Sequence, residues 1–176
     1  MHSLVRRLCV AQAPGGTWSG RLSAGGVTMA CTLGPAGVTH AKREGDGATP
    51  AGRFGLLSAF VRPGAQGLRP RLLPTRVTRR DDIWCDAPGH ALYNRPARLP
   101  LRVSHENLWR ADHVYDLVIV LDFNLRPRRQ GRGSAIFFHL TRDRPAPTAG
   151  CVAISAADMR RLLPRLGRGA VMVVRR

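Results

Sequence analysis

Residues 134–155 read Ser-Ala-Ile-Phe-Phe-His-Leu-Thr-Arg-Asp-Arg-Pro-Ala-Pro-Thr-Ala-Gly-Cys-Val-Ala-Ile-Ser, and this stretch decides both the fold and the chemistry. Ser134–Thr141 is an apolar, aromatic run of strand length with His139 near its end. A proline-rich loop follows, and Cys151 stands just after the small pair Ala149-Gly150. Beyond it, Ser155 is placed to cap a helix running from about Ala156 to Leu163. Asp158 lies in its first turn, Arg160 and Arg161 come later, and Pro164 ends it. Ala170–Arg175 has the composition of a final strand.

The chain upstream continues the β pattern. Leu4–Gln12 suits a strand, and Gly20–Ser23 and Val27–Leu33 flank the hairpin signal Ala24-Gly25-Gly26. Gly37–Ala41 reads as a further short strand, with His40 exposed on it, and Arg53–Arg62 as a longer one. Lys42–Gly52 and Pro63–Pro74 are rich in glycine and proline and read as loops. Arg76–His90 reads as irregular, with Asp81, Asp82 and Asp86 as solvated carboxylates rather than metal ligands. Ser104–Leu108 reads as a capped helical turn, and Asp116–Phe123 as a buried strand of β-branched residues and leucine. The expectation is one mainly β domain over residues 1–176, a sandwich or barrel with one or two helices.

Composition bounds the class. Hydrophobic residues make up 44% and charged residues 22% of the 176, which suits a packed domain. The longest apolar runs, Leu117–Leu121 and Ala170–Val174, are strand-sized, so no membrane-spanning segment is expected. Met1–Gly20 carries Arg6 and Arg7 without an apolar stretch, so no signal peptide is read there. The 28 basic and 11 acidic residues give a net charge of +17, and Lys42 is the single lysine. Such charge fits a polyanion partner, or the arginine-rich drift of a GC-biased genome. The scattered pairs and the lack of an aromatic RNA-binding signature favour drift, so no nucleic-acid partner is expected. Cys9, Cys31, Cys85 and Cys151 include no Cys-x-x-Cys pair, so neither a zinc site nor a cofactor is expected. The first three of these read as buried free thiols.

Cys151 differs by its neighbours. A thiol attacks only as thiolate, a state that an imidazole can supply, and His139 lies 12 residues before it. The Leu140 carbonyl can hold the other ring nitrogen, and the turn Ala149-Gly150-Cys151 can aim backbone N–H groups at one developing oxyanion. Glycine at 150 is read as removing a Cβ that would crowd a substrate carbonyl. Residue chemistry alone leaves a second reading open, since a lone cysteine and a lone histidine are more often packing residues than a dyad.

The same residues resemble the catalytic motif of the YkuD-type L,D-transpeptidases, a strand-ending histidine followed by Ser/Thr-x-Gly-Cys, here His139 and then Thr148-Ala149-Gly150-Cys151. Upstream, Gly45-Asp46-Gly47-Ala48-Thr49-Pro50-Ala51-Gly52-Arg53-Phe54 resembles that family's Thr-Pro loop. Trp84-Cys85-Asp86, Tyr93-Asn94 and Ser104-His105-Glu106, with Leu108-Trp109, resemble a short proteobacterial branch.

The resemblance implies a YkuD-like sandwich or barrel acting on peptidoglycan stem peptides in the periplasm or cell envelope. It implies Cys151 as nucleophile, His139 as general base and then acid, and the Leu140 carbonyl as orienting group. The oxyanion hole would comprise Ala149, Gly150 and Cys151. Tyr93, Asn94, His105, Glu106, Trp109, Phe138 and Thr148 are the substrate-binding candidates. The thioester would pass to a diaminopimelate amine, or to water in a carboxypeptidase. Three departures bear on the donor: Ala149 where the family usually has histidine, Ala153 where it often has arginine or asparagine, and a shorter spacer between His139 and Cys151. They favour 1,3 over 3,3 cross-links. Oligomeric state is left open.

Overall fold

In a computed structural model the chain is described over residues 4–176, so residues 1–3 of the expected domain, and of the Met1–Gly20 segment, lie outside it. The strands are β1 (Val5–Gln12), β2 (Ser19–Ala24), β3 (Val27–Thr32), β4 (Val38–Thr39), β5 (Thr49–Pro50), β6 (Gly52–Val61) and β7 (Thr75–Val77). They continue with β8 (Asp82–Cys85), β9 (Arg95–Arg98), β10 (His105–Asn107), β11 (Leu117–Leu121), β12 (Phe137–Leu140) and β13 (Val152–Ile154). One helix, α1 (Ala156–Leu162), and a 3-10 turn (Leu163–Arg165) precede β14 (Leu166–Arg175).

The main sheet runs β11-β12-β13-β3-β2-β1-β14-β6-β7, and β11 also pairs with β6. That second pairing closes eight strands into a barrel and leaves β7 as an appendage, which removes most free edges. The β2–β3 hairpin turns on Gly25 and Gly26, both at positive φ (55° and 81°), as a two-residue turn demands.

Alternation along the strands builds two cores. On β12, Phe138 and Leu140 face the barrel interior with Leu117, Ile119 and Leu121 of β11. Phe137 packs on the other face with Val118, Val120, Trp84, Tyr115 and Cys151. The small sheet β10-β8-β9 contributes Trp84 to this second core. Strands covered on both faces read as continuous apolar runs, which is why β11 shows no polar alternation. α1 packs Met159 and Leu162 on the inner core, and its cap is made by Ser155, whose Oγ accepts the Asp158 N–H at 3.1 Å.

Several local expectations are corrected. Residues 104–108 are not a helical turn: β10 pairs antiparallel with β8, and these ladder bonds prevail over the Ser104 cap. The 76–90 segment holds β8 and part of β7, and the Lys42–Gly52 loop holds β5. Asp82 is not solvated; it is buried, accepts the Arg79 N–H at 2.7 Å and pairs with Arg76. His40 is exposed but lies just past β4. The strand read over 134–141 is ordered as β12 only from Phe137, because Ala135 has a φ of 51°. No helix of the described residues is long and apolar enough to cross a membrane.

Candidate active site

Cys151 and His139 open into one cavity of about 400 Å³, walled also by Thr32, Glu44, Asp86, Glu106, Arg110 and Tyr115. The ladder brings them together. β12 and β13 run parallel, with His139 opposite Ala153 and Phe138 opposite Val152, so Cys151 enters just ahead of the strand beside the histidine. Leu140 N–H donates to the Val114 carbonyl (3.1 Å), which anchors the end of β12.

The imidazole is fixed from one side. His139 Nδ1 lies 2.9 Å from the Leu140 carbonyl oxygen and donates its proton there, leaving Nε2 as the basic nitrogen. The Tyr115 ring meets the imidazole edge-on at 5.0 Å. Burial disfavours imidazolium and pulls His139 down to about 4, against a smaller upward pull from the Leu140 carbonyl. Burial likewise holds the Tyr115 hydroxyl well above its ordinary value.

The sulfur is held by backbone. Phe137 N–H donates to Cys151 Sγ at 3.3 Å, and the thiol donates to the Ala135 carbonyl at 3.2 Å. Burial pushes the Cys151 thiol up to about 12, offset in part by the Phe137 N–H. Burial thus favours the neutral thiol at Cys151 and the neutral imidazole at His139.

The Gly-Cys turn is shaped by the upstream loop. Gly150 has a φ of 122°, and a Cβ there would stand 2.6 Å from the Ala48 carbonyl oxygen. The glycine is thus required by close approach of the Thr-Pro loop, which corrects the reading that it clears room for substrate. That loop is braced by Asp46, which accepts N–H groups from Arg43 (2.7 Å) and Ala48 (2.9 Å) and pairs with Lys42. Buried Thr49 accepts the Gly34 N–H at 2.9 Å. Thr148 Oγ accepts the Gly150 N–H (3.1 Å) and donates to the Cys151 carbonyl (2.7 Å). The Gly150 N–H is therefore engaged, and the backbone N–H groups of Ala149 and Cys151 remain as the oxyanion candidates.

The expected substrate-binding residues divide. Glu106 and Thr148 line the cavity. Phe138 does not: its side chain is fully buried in the barrel interior, since alternation on β12 sends it opposite to His139. Trp109 lies off the cavity, stacked under Arg62 at 4.5 Å and Arg80 at 5.2 Å. His105 is also off the cavity, its Nδ1 2.7 Å from the Val103 carbonyl. Tyr93 and Asn94 are buried behind the wall, where Tyr93 donates its hydroxyl to Glu44.

Asn94 is saturated. Its Oδ1 accepts from Trp84 Nε1 (2.9 Å) and from the Ala135 N–H (3.1 Å). Its Nδ2 donates to the carbonyls of Phe123 (3.1 Å) and Asn124 (2.9 Å). Asn94 thus holds the residue whose carbonyl receives the Cys151 thiol.

Several lining residues escaped the sequence reading. Arg110 binds Glu106 (3.0 Å) and Asp112 (2.7 Å), and Arg142 reaches Asp112 at 3.2 Å. The Arg110 hydrogen bond holds the Asp112 carboxyl well below its ordinary range, against the opposing effect of burial. Asp86, read as solvated, lines the cavity. Glu44 carried a weak signal, standing directly before the Gly-Asp-Gly motif, and Tyr115 carried none.

Comparison with known proteins adds the relationship. The family model for the YkuD L,D-transpeptidase catalytic domain matches residues 15–174. A solved L,D-transpeptidase from Mycobacterium smegmatis aligns with a TM-score of 0.42 at 11% identity, over 98% of this chain and 59% of that one. The chain thus spans less than two thirds of that protein's length. No curated protein matches the chain in sequence.

Proposed function

The chain belongs to the YkuD family of L,D-transpeptidase catalytic domains, and from that premise we propose that it cross-links peptidoglycan through a thioester on Cys151. The observation that carries this reading is the shared cavity: Cys151, His139 and Ala149 line one space, with the imidazole oriented by the Leu140 carbonyl. Cys151 Sγ attacks the carbonyl of an L-centre in a donor stem peptide while its proton passes to His139 Nε2. The oxyanion faces the Cys151 and Ala149 N–H groups, and each such donor contributes on the order of 10²–10³ in rate. The C–N bond to the following D-residue breaks, the leaving amine takes the proton from His139, and a thioester remains.

An acceptor amine then attacks the thioester carbonyl. The C–S bond breaks as the amide forms, and His139 carries a proton from nitrogen to sulfur. Burial favours the neutral forms of both groups, which suits a cycle in which the thiol loses its proton as the bond to carbon forms. The acceptor is a diaminopimelate amine, and the substrate places the site of action in the cell envelope. Ala149 and Ala153, where relatives carry larger polar side chains, favour an L-alanine donor and 1,3 cross-links.

Carbapenem treatment followed by intact-mass analysis tests the thioester. The wild-type chain takes one adduct and C151A takes none; an unmodified wild type overturns the reading. Mass analysis of dimers made from purified muropeptides tests the linkage, and exclusively 3,3 products refute the donor assignment.

A further inference from the structure

The cavity holding Cys151 gathers acids in a chain that is poor in them. Only 11 of 176 residues are acidic, yet Glu44, Asp86 and Glu106 all line this one space. Glu106 is bound to Arg110, and Glu44 is held through one oxygen by the Tyr93 hydroxyl. Asp86 is different. Its Oδ1 is buried and finds no hydrogen-bond donor among the described residues. Two hydroxyls on the same walls share this condition: Thr32 Oγ1 and Ser134 Oγ, on residues 5% and 6% exposed, have no partner among the described residues. Buried polar atoms left without partners are costly, and a cavity that keeps an acceptor-only carboxylate oxygen together with two hydroxyls able to accept suits a donor that arrives from outside.

The position fits the second half of the reaction. Ser134 is followed directly by Ala135, whose carbonyl receives the Cys151 thiol at 3.2 Å. Ser134 therefore stands on the wall beside the nucleophile, in the same cavity as Asp86 and Thr32. The cations lining the cavity already have partners, Arg110 in Glu106 and Asp112, and Arg142 in Asp112. Asp86 is left to a ligand.

We propose that Asp86, Glu44 and the Ser134 hydroxyl form the subsite for the ammonium group of the acyl acceptor, an inference that rests on the transpeptidase reading. A primary ammonium is a compact cation with three donors, and these side chains offer it three acceptors. The group enters as R–NH3+ and loses one proton to the carboxylates and on to solvent. The neutral amine attacks the thioester carbon, the C–N bond forms as the C–S bond breaks, and the second proton reaches sulfur through His139. Tyr93 keeps the Glu44 carboxylate in place.

The test is calorimetric titration of meso-diaminopimelate into the purified chain, with no donor present. Saturable binding is expected, weakened about tenfold or more in D86N and in E44Q, and lost when both amines of the probe are acetylated. Both substitutions preserve shape. Asp86→Asn removes no existing bond at Oδ1, and Glu44→Gln keeps an acceptor for Tyr93, so two independent variants carry the test, each checked by its melting temperature. No binding of the free amino acid by the wild type, equal affinity in the variants, or equal affinity for the acetylated probe overturns the subsite. The carbapenem adduct forms without any amine, so its failure would strike the thioester reading and leave this titration standing by itself.

Discussion

Cys85 and Cys151 are both buried cysteines with a histidine in reach, yet their surroundings differ in kind. Cys85 Sγ lies 3.7 Å from His90 Nδ1, a direct contact between thiol and imidazole. That nitrogen also accepts the Leu92 N–H at 3.1 Å, and neither residue lines the active-site cavity. The Cys151 sulfur bonds instead to backbone, the Ala135 carbonyl and the Phe137 N–H, while its histidine is oriented by the Leu140 carbonyl. On the proposed reading, closeness of a base does not by itself make a nucleophile. Access for a carbonyl carbon, a nitrogen left free to take a proton, and N–H groups for the oxyanion do. Cys31 makes the same point, since burial pushes it, like Cys151, up to about 12, and it lines no part of this cavity.

Cys151→Ala should abolish the carbapenem adduct and all dimer formation, measured by intact mass and by muropeptide analysis. Next in size is the histidine. His139→Gln should slow acylation by about 10²–10⁴, the usual worth of general acid–base catalysis, while His90→Gln should leave the rate near wild type. A large loss in H90Q would mean that the Cys85–His90 contact serves the reaction.

Asn94 sharpens the comparison by asking how the backbone around Cys151 is held. Asn94→Ala strips donors or acceptors from Trp84, Ala135, Phe123 and Asn124, each left unsatisfied at about 1–3 kcal/mol. In the fraction that folds, acylation should fall about tenfold, since the Ala135 carbonyl loses its anchor. A purely structural asparagine would lower the melting temperature and leave acylation of the folded fraction unchanged.

The lowered His139 value has a stability consequence with a definite sign. The imidazole is neutral in the fold down to about 4, whereas an exposed histidine gains its proton near 6.5. Its contribution to stability is therefore complete above pH 6.5 and is lost as the pH falls to 4. It amounts to about 3 kcal/mol. Urea unfolding between pH 7 and pH 4 should show this slope in the wild type and a smaller one in H139Q.

How far the sequence speaks depends on the kind of interaction. β11 was legible because burial on both faces writes an apolar run into the chain, and the second half of β14, Ala170–Arg175, by its β-branched composition, while Leu166–Gly169 carries two glycines and no such signal. The placement of Cys151 and His139 on one cavity, with the Leu140 carbonyl against the imidazole, was legible through their spacing and the family motif. The outer sheet was not, because β8, β9 and β10 are three or four residues long and form only by pairing with one another. The face of Phe138 was misread for a related reason: in a wall buried on both sides, composition does not say which alternate residues point inward. Asp86 and Arg110 reach the cavity through loops and the ends of short strands, and no local pattern marks such placements.

The smallest expected effect closes the comparison from the other side. Cys85→Ala deletes a fully buried sulfur at the end of β8, where its neighbours pair with β9 and β10. The cost is packing, about 1–2 kcal/mol, read as a modest fall in urea midpoint. Because Cys85 lies off the cavity and its contact with His90 feeds no reacting atom, the rate of carbapenem adduct formation should stay within about twofold of wild type. The outcome matters beyond its size. Trp84, the residue just before Cys85, donates to Asn94, and Asn94 in turn holds Ala135 against the Cys151 thiol. A rate loss in C85A as large as that in N94A would mean that β8 transmits packing into the position of the thiol, and the two cysteines would then belong to one coupled unit rather than to two separate regions.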